Sequence, residues 1–567
     1  MDFDFAMDFP LNRCINADVP SVNDRRIHAC FHLFPIQNRE PNDHAMSLAD
    51  AITWSLSIGA GLALVSIIWS YYKGLRNSPR DMWLLFLYKF VEYAPYAAMN
   101  MAVSLWLSKD CGLGDVEAGS FISAWSICLS VMGMFAGALV DAIGIRKTML
   151  VSVVFLIIAR LVFSFVTQPF FVFVFGFLPL AVGFAIVAPV ISVAIKRYTT
   201  KEGSALGFGL FYVVMNIGYA VGGIFFDWIR EHLASKDAAG KVIDENAGMI
   251  LLGHHFSTYQ MIFLVGLLAT AASLCITWFV RDGVEMTEDG TVVVRPVESH
   301  GSMWGALSKG ASDTCRLLWG TVQERFFWIF LGLLTMPLFV RFVFFHFHYT
   351  FPKYGIRVLG EGAKIGTIYG VLNPILIVFL VPLVAMVTKR TSSYKMMIWG
   401  SAVSSLACFI AVLPPDWFAG LTHGVLGELV FIKGLQMADN MNALAASPPV
   451  PEYWPLIFCI VFFTLGEAIW SPRLMQFTAE IAPKGKEGTY IALSVLPFFL
   501  AKFVVGPMSG FLLKWYTPVG ADGKALAVYP DHHMVWVWIG GMAVLSPIGL
   551  LVFRNWFLKN TAHHEPT

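Results

Sequence analysis

Charge is scarce in this chain. Of its 567 residues, 39 are Lys or Arg and 38 are Asp or Glu, together 14%. Soluble domains carry roughly 25%. With 57% hydrophobic and 15% aromatic residues and a mean hydropathy of +0.66, the chain is too apolar for a soluble protein of this length. The charges balance to +1, which leaves no basis for a polyanion partner and argues against nucleic acid. The eight cysteines lack metal-ligand spacing. No G-x-x-x-x-G-K-[ST] loop is present, which argues against an ATP-driven pump. No G-x-S-x-G elbow or matched catalytic carboxylate pair is present either. Neither an enzyme nor a bound cofactor is expected.

What the chain does have is long apolar runs of about 20 residues, the length that spans a bilayer. Thirteen are expected: 52–72, 82–107, 117–140, 147–166, 169–195, 204–229, 257–280, 326–349, 364–387, 396–413, 453–472, 489–513 and 534–553. The last twelve divide into two sets of six. The expected class is an all-α integral membrane protein. A tail, 1–50, precedes an extra helix and loop, 51–81. Two bundles, 82–280 and 326–553, are joined by a linker, 281–325, and followed by a tail, 554–567. The extra run lacks a small-residue cleavage site and reads as an anchor rather than a removed signal.

Basic residues orient the runs. Arg146 and Lys147, Lys196 and Arg197, Lys389 and Arg390, Lys484 and Lys486, and Arg554 and Lys559 follow alternate runs, so those loops are expected to be cytoplasmic. The N-terminal tail then faces outward and the C-terminus is cytoplasmic, in a plasma or bacterial inner membrane. Cys14 and Cys30 share the tail as a disulfide or a free pair. Cys128, Cys275, Cys408 and Cys459 read as small core residues. In the linker, 288–294 reads as a hairpin turn and 303–321 as an amphipathic helix on the membrane. An outward insertion, 414–452, has a helix-like stretch at 425–437. It caps a vestibule or, with the extra helix, offers a docking surface for a protein partner.

The segment Gly137-Ala-Leu-Val-Asp141-Ala-Ile-Gly144-Ile-Arg146-Lys147 sits between two runs. Gly137 permits close helix approach, Gly144 permits a sharp turn, and Asp141 can pair with Arg146 or Lys147. It resembles the conformational-switch signature between helices 2 and 3 of the major facilitator superfamily. That resemblance implies two six-helix bundles rocking around a central site. Lys201-Glu-Gly203 and Lys486-Glu-Gly488 echo each other as the duplicated unit requires.

Within that superfamily, four segments resemble the proton-coupled oligopeptide transporters. Thr464-Leu-Gly-Glu467-Ala-Ile-Trp-Ser471-Pro472 is similar to the branch's T-L-G-E-x-x-x-S-P of helix 10. Leu372-Asn373-Pro374, with Pro382-Leu383 downstream, is similar to its helix 8. Phe211-Tyr212-Val-Val-Met-Asn216-Ile-Gly218 is similar to its helix 5, and Ala188-Pro189-Val-Ile-Ser192 to the K-P-N-I-S of helix 4. The helix 1 motif, E-x-x-E-R, departs: Lys89 stands at the first glutamate, Glu92 at the second and Tyr93 at the arginine. Ala188 stands at the helix 4 lysine.

Charges inside spanning segments are costly and mark functional sites by default. The superfamily architecture implies that Lys89, Glu92, Arg341 and Glu467 lie on cavity-lining helices, with Lys502 on helix 11. Glu467 matches the family position for the substrate's amino end. It either binds and releases a proton or forms a static salt bridge. Arg341 offers a fork for a carboxylate or phosphate, or pairs with Glu467 or Glu92. Lys89 and Glu92, spaced i, i+3, are a coupling pair or a self-neutralising one. Lys502 is a gate residue or reaches a helix end. Asn100, Asn216 and Asn373 hydrogen-bond between helices, and Arg160 contacts another helix. His346 and His348 are placed at the outer end of 326–349, where titration or metal binding is open to them.

The function expected is proton-coupled symport of a small zwitterionic or anionic, peptide-like solute by alternating access, with protons and the lipid bilayer as the other partners. The other reading is a transporter-derived scaffold or receptor subunit that moves nothing.

Overall fold

The computed structural model describes residues 47–294, 303–447, 449–481, 496–521 and 523–561. Cys14 and Cys30, Lys484, and the echo at Lys486-Glu-Gly488 lie outside the described residues. Helices occupy all thirteen expected places. The first bundle is preceded by α1 (Leu48–Leu75) and comprises α2 (Arg80–Lys109), α3 (Asp115–Ile143), α4 (Ile145–Phe165), α5 (Pro169–Tyr198), α6 (Lys201–Leu233) and α7 (Thr258–Trp278). The linker helix is α8 (Met303–Val322). The second bundle comprises α9 (Arg325–Tyr349) with its extension α10 (Phe351–Leu359), α11 (Gly366–Val387), α12 (Ser393–Ile410), α13 (Tyr453–Ile481), α14 (Leu496–Tyr516) and α15 (Met534–Val552).

Ten of these helices are long and apolar enough to cross a membrane. Ser393–Ile410 with Pro415–Thr422, bent by 103°, adds an eleventh as a broken pair. The other two expected spans are α2, which carries Lys89 and Glu92, and α14, which carries Lys502 and Lys514. Capping boxes start α1 at Ser47 with Asp50 and α7 at Ser257 with Gln260. Gly144, at φ +85°, makes the turn between α3 and α4. An L side chain there would be strained.

Among the described residues, strand is confined to three two-stranded hairpins. Two, β1–β2 (Ser235–Lys236, Val242–Asp244) and β3–β4 (Met249–Leu251, His254–Phe256), join α6 to α7. The third, β5–β6 (Val284–Met286, Val292–Val294), lies in the linker, where a hairpin is expected. The end of the molecule with the first two hairpins is called here the hairpin face, and the end with the Gly144 turn the basic face.

The bundles meet unequally at these two ends. At the hairpin face one buried cluster runs through both, with Trp106, Phe163 and Phe263 from the first and Phe347, Phe463 and Trp536 from the second. At the basic face each bundle has its own cluster, around Met82, Ile145 and Tyr198 in one and Phe330, Tyr394 and Trp470 in the other. Glycines allow two close seams between the bundles. A Cβ on Gly223 of α6 would lie 2.8 Å from the Gly366 carbonyl oxygen of α11, and one on Gly119 of α3 would lie 2.9 Å from the Gly506 carbonyl carbon of α14.

Charge closes the same end. Asp115 of α3 accepts from Lys353 at 2.9 Å and Arg357 at 2.8 Å across the divide. Lys109 reaches Glu361 at 2.7 Å and Lys364 reaches Glu231 at 2.6 Å. Asp227 takes the backbone N–H groups of Gly366 (3.0 Å) and Thr367 (2.6 Å). Arg230 donates to the carbonyls of Glu361 and Ala363, both at 2.8 Å, while its fork is held by Glu245. The halves are thus bolted at the hairpin face and parted, among the described residues, at the basic face.

The extra helix α1 packs along α6. Its Asp50 pairs with Lys433 and its Ser47 hydroxyl donates to Glu428 at 3.2 Å. Both partners belong to the insertion, whose 425–437 stretch is two short helical turns, Val425–Gly427 and Glu428–Gly434.

Candidate functional site

A cavity of about 460 Å³ lies between the bundles. Its charged lining residues, among those described, are Arg341 of α9, Glu467 of α13 and Lys502 of α14. Glu467 is held by α13 against α11. Asn373 donates to Glu467 Oε2 at 3.2 Å and to the Thr464 hydroxyl at 2.9 Å. Arg341 Nη1 stands 3.7 Å from Glu467 Oε1, a loose pair beside the 2.7–2.9 Å of a tight charged hydrogen bond. The Arg341 guanidinium lies 4.4 Å from the Phe344 ring centroid and 5.9 Å from that of Trp470, a packing that suits its planar, weakly hydrated head. Asn373, Arg341, Glu467 and Lys502 are therefore brought together as the sequence motifs suggest.

The helix 1 charges are placed otherwise. Glu92 bonds Arg160 of α4 at 2.9 Å, with both side chains 2% exposed, and accepts from the Ser273 hydroxyl of α7 at 2.5 Å. The i, i+3 pairing of Lys89 with Glu92 is not formed. The Lys89 ammonium instead sits 3.7 Å from the Tyr93 ring centroid and 4.8 Å from that of Phe211. The competing partner won because Arg160 offers a directed guanidinium from an adjacent helix, while a Lys on the same helix must bend back. Neither Lys89 nor Glu92 lines the cavity; Tyr93 does. Arg160, read as a helix contact, is that contact.

In the switch segment, Arg146 stacks on Trp278, 4.9 Å from its ring centroid, and its backbone N–H donates to Asp282 at 2.9 Å. Lys147 is exposed. Gly137 and Asp141 continue α3, and the surroundings of their side chains lie outside what is described.

Several residues that sequence reasoning passed over complete the wall. Tyr96, Tyr219, Tyr349 and Tyr369 line the cavity, and so does Trp125. His348 is not at a solvent-facing end. Its Nδ1 is within 2.8 Å of the Phe344 carbonyl and its Nε2 within 2.8 Å of the Tyr219 hydroxyl, so the ring bridges the two bundles. His346 is fully buried on Thr350. Periodicity in an all-apolar helix does not say which side faces a cavity, so spacing does not single these aromatics out. Among the described residues no group of His, Cys, Asp and Glu could hold a metal ion.

Residues 85–446, more than half of the chain, match the model of the Major Facilitator Superfamily. The chain belongs to that superfamily. It is a helical transporter of the membrane. Solved structures share its fold. A POT family transporter in complex with 5-aminolevulinic acid aligns with a TM-score of 0.57 at 16% identity, over 84% of this chain and 97% of that one. Tetrameric PepTSo2 aligns at 0.58 and 15%, over 84% and 98%. A structure of a proton dependent oligopeptide transporter aligns at 0.56 and 17%, over 85% and 99%. No curated protein matches the chain. At these identities the likeness is one of fold, and the chemistry of the cavity is this superfamily member's own.

Proposed function

We propose that this protein is a proton-coupled symporter of a small zwitterionic or anionic organic solute, with the basic face cytoplasmic and the outward end closed in this conformation. The observation that carries the reading is the loose Arg341–Glu467 pair inside a cavity whose walls come from both bundles. A solute acid drawn to Arg341 weakens its hold on Glu467, and a carboxyl released from its cation in a poorly hydrated cavity favours the protonated form. A proton and the solute then bind together. Closure at the hairpin face by charge pairs between the halves supports alternating access, since those contacts must break for the opposite state. Substrates of the peptide transporters enter only as an analogy of shape.

The scaffold reading draws less support. The extra helix and the insertion, its two docking surfaces, are spent partly on each other through Asp50, Lys433, Ser47 and Glu428.

The test is uptake into proteoliposomes under an imposed inward proton gradient, with a pooled set of dipeptides, amino acids and aromatic acids. Gradient-driven uptake lost in Glu467→Gln, with the variant folded, is expected. No uptake of any pool member by folded wild-type protein would overturn the symport reading.

A further inference from the structure

The cavity has two unlike ends, with Arg341 between them. One end is acidic and hydrogen-bonded, built from Glu467 and Asn373. At the other, the Lys502 ammonium lies 5.6 Å from the Phe345 ring centroid. Arg341 lies 6.0 Å from the same ring, so two cations stand beside one aromatic ring. Tyr349 stacks on that ring, 6.2 Å away at 17°, and its hydroxyl bonds Ser126 of α3 at 3.0 Å. Ser123, one turn earlier, donates to the Lys502 backbone carbonyl at 2.6 Å, which fixes α14 against α3. Trp125, 3% exposed, lines the same cavity, and its indole N–H has no acceptor.

Two cations face one carboxylate here, and the carboxylate stands beside Arg341. Among the described residues Lys502 has no acid within ion-pair distance, and Lys89, behind Tyr93, adds no negative charge. A cation in a poorly hydrated site is costly until a counter-charge arrives. A zwitterion brings none on balance. An acid brings both the charge and an acceptor for the orphaned indole N–H.

We infer that the end of the cavity formed by Lys502, Trp125 and Phe345 is a binding subsite for the acidic group of an aromatic organic anion, which makes the preferred solute net negative rather than zwitterionic. The inference rests on the transport reading above for its biological meaning, but not for its measurement. The solute's ring lies among Phe345 and Tyr349, its acid takes Lys502 and the Trp125 N–H, and a second acid, where present, takes Arg341.

The experiment is thermal unfolding of the full chain in nanodiscs, titrated with phenylsuccinate, hydrocinnamate, succinate, phenylalanine and phenethylamine. Phenylsuccinate and hydrocinnamate stabilise at concentrations about tenfold below phenylalanine, the worth of one charge-assisted contact. Succinate is weaker than phenylsuccinate, and phenethylamine has no effect. Lys502→Met weakens both aromatic acids about tenfold, Lys502→Arg restores them, and Trp125→Phe also weakens them about tenfold, as loss of one hydrogen bond to a charged acceptor does. Phenylalanine as the strongest ligand, no stabilisation by either aromatic acid, or equal stabilisation of wild type and Lys502→Met would each overturn the subsite. Should Lys502→Met not fold, the wild-type rank order and Trp125→Phe decide. Gradient-driven phenylalanine uptake unchanged in Lys502→Met sinks the subsite and spares the transporter. Anion binding without any gradient-driven uptake sinks the symport reading and spares the subsite.

Discussion

Two of the acid–base pairs within the bundles are built differently. In the first bundle Glu92 and Arg160 meet at 2.9 Å, each side chain 2% exposed, with Ser273 completing the acid's shell. In the second, Glu467 and Arg341 stand 3.7 Å apart, 9% and 24% exposed, at the wall of a cavity. The first is a fastener. Its two charges meet each other away from the cavity, although Arg160 Nη2 is buried without an acceptor. The second has slack and access, which is what exchange with a proton or an acid requires. The residue types are the same in both; access to the cavity separates them.

The sharpest way to break this contrast is to remove one partner of the fastener. Arg160→Met leaves Glu92 buried and uncompensated, at a cost of about 3–5 kcal/mol. The yield of folded, monodisperse protein is expected to collapse, and the double variant with Glu92→Gln is expected to recover part of it. A well-folded Arg160→Met would show that Glu92 finds water or another cation.

A second test moves to the charges that bolt the halves. Asp115→Asn unties both Lys353 and Arg357 and removes about 2–3 kcal/mol of closure, by the usual worth of charged hydrogen bonds. Spin labels at Ala239 and Ala521, exposed on opposite bundles at the hairpin face, are expected to show a longer second distance in this variant. An unchanged distribution would mean that the apolar cluster alone holds the gate.

Acid probes the same gate more gently. Burial alone would raise the Glu245 carboxyl, but the Arg230 guanidinium and the Lys109 ammonium more than offset it and hold it below its ordinary 4.5. A lowered folded value gives stability that is present above the unfolded value and lost as pH falls through the folded one. From neutral pH down to about 5 this group contributes no slope; below about 4.5 its share of the stability is lost. Glu245→Gln is expected to flatten that acid limb in melting curves, and an identical limb in both proteins would contradict the assignment.

The smallest effect belongs to the turn at the basic face. Gly144→Ala puts a side chain at φ +85° and is expected to cost about 1 kcal/mol without changing solute binding. A larger loss in transport than in melting temperature would tie the turn to the conformational cycle.

Much of the fold was legible because bilayer thickness writes itself into apolar run length. Every expected span holds a helix, and Gly144 makes the turn its spacing implies. The linker hairpin and a linker helix, Met303–Val322, stand where pattern put them. The cavity was half legible. Glu467, Asn373, Arg341 and Lys502 carry charge or sit in motifs, so they stood out. Trp125, Tyr219, Tyr349 and Tyr369 did not, because a helix apolar on all sides has no periodicity to separate lipid from cavity. Nor could spacing reveal that Glu92 turns to Arg160, a partner 68 positions away, rather than to Lys89 one turn earlier. Local spacing ranks neighbours on one helix and is silent about the helix packed beside it.

The central claim is that the Glu467 pair opens and the Glu92 pair does not. Side-by-side melting of Glu467→Gln and Glu92→Gln in the same nanodiscs tests it most directly. Glu467→Gln is expected to lie within about 1 kcal/mol of wild type, as loose, partly exposed pairs do, and Glu92→Gln to fall by several times that. Equal destabilisation by the two variants would make Glu467–Arg341 a static salt bridge and contradict its role as the mobile charge.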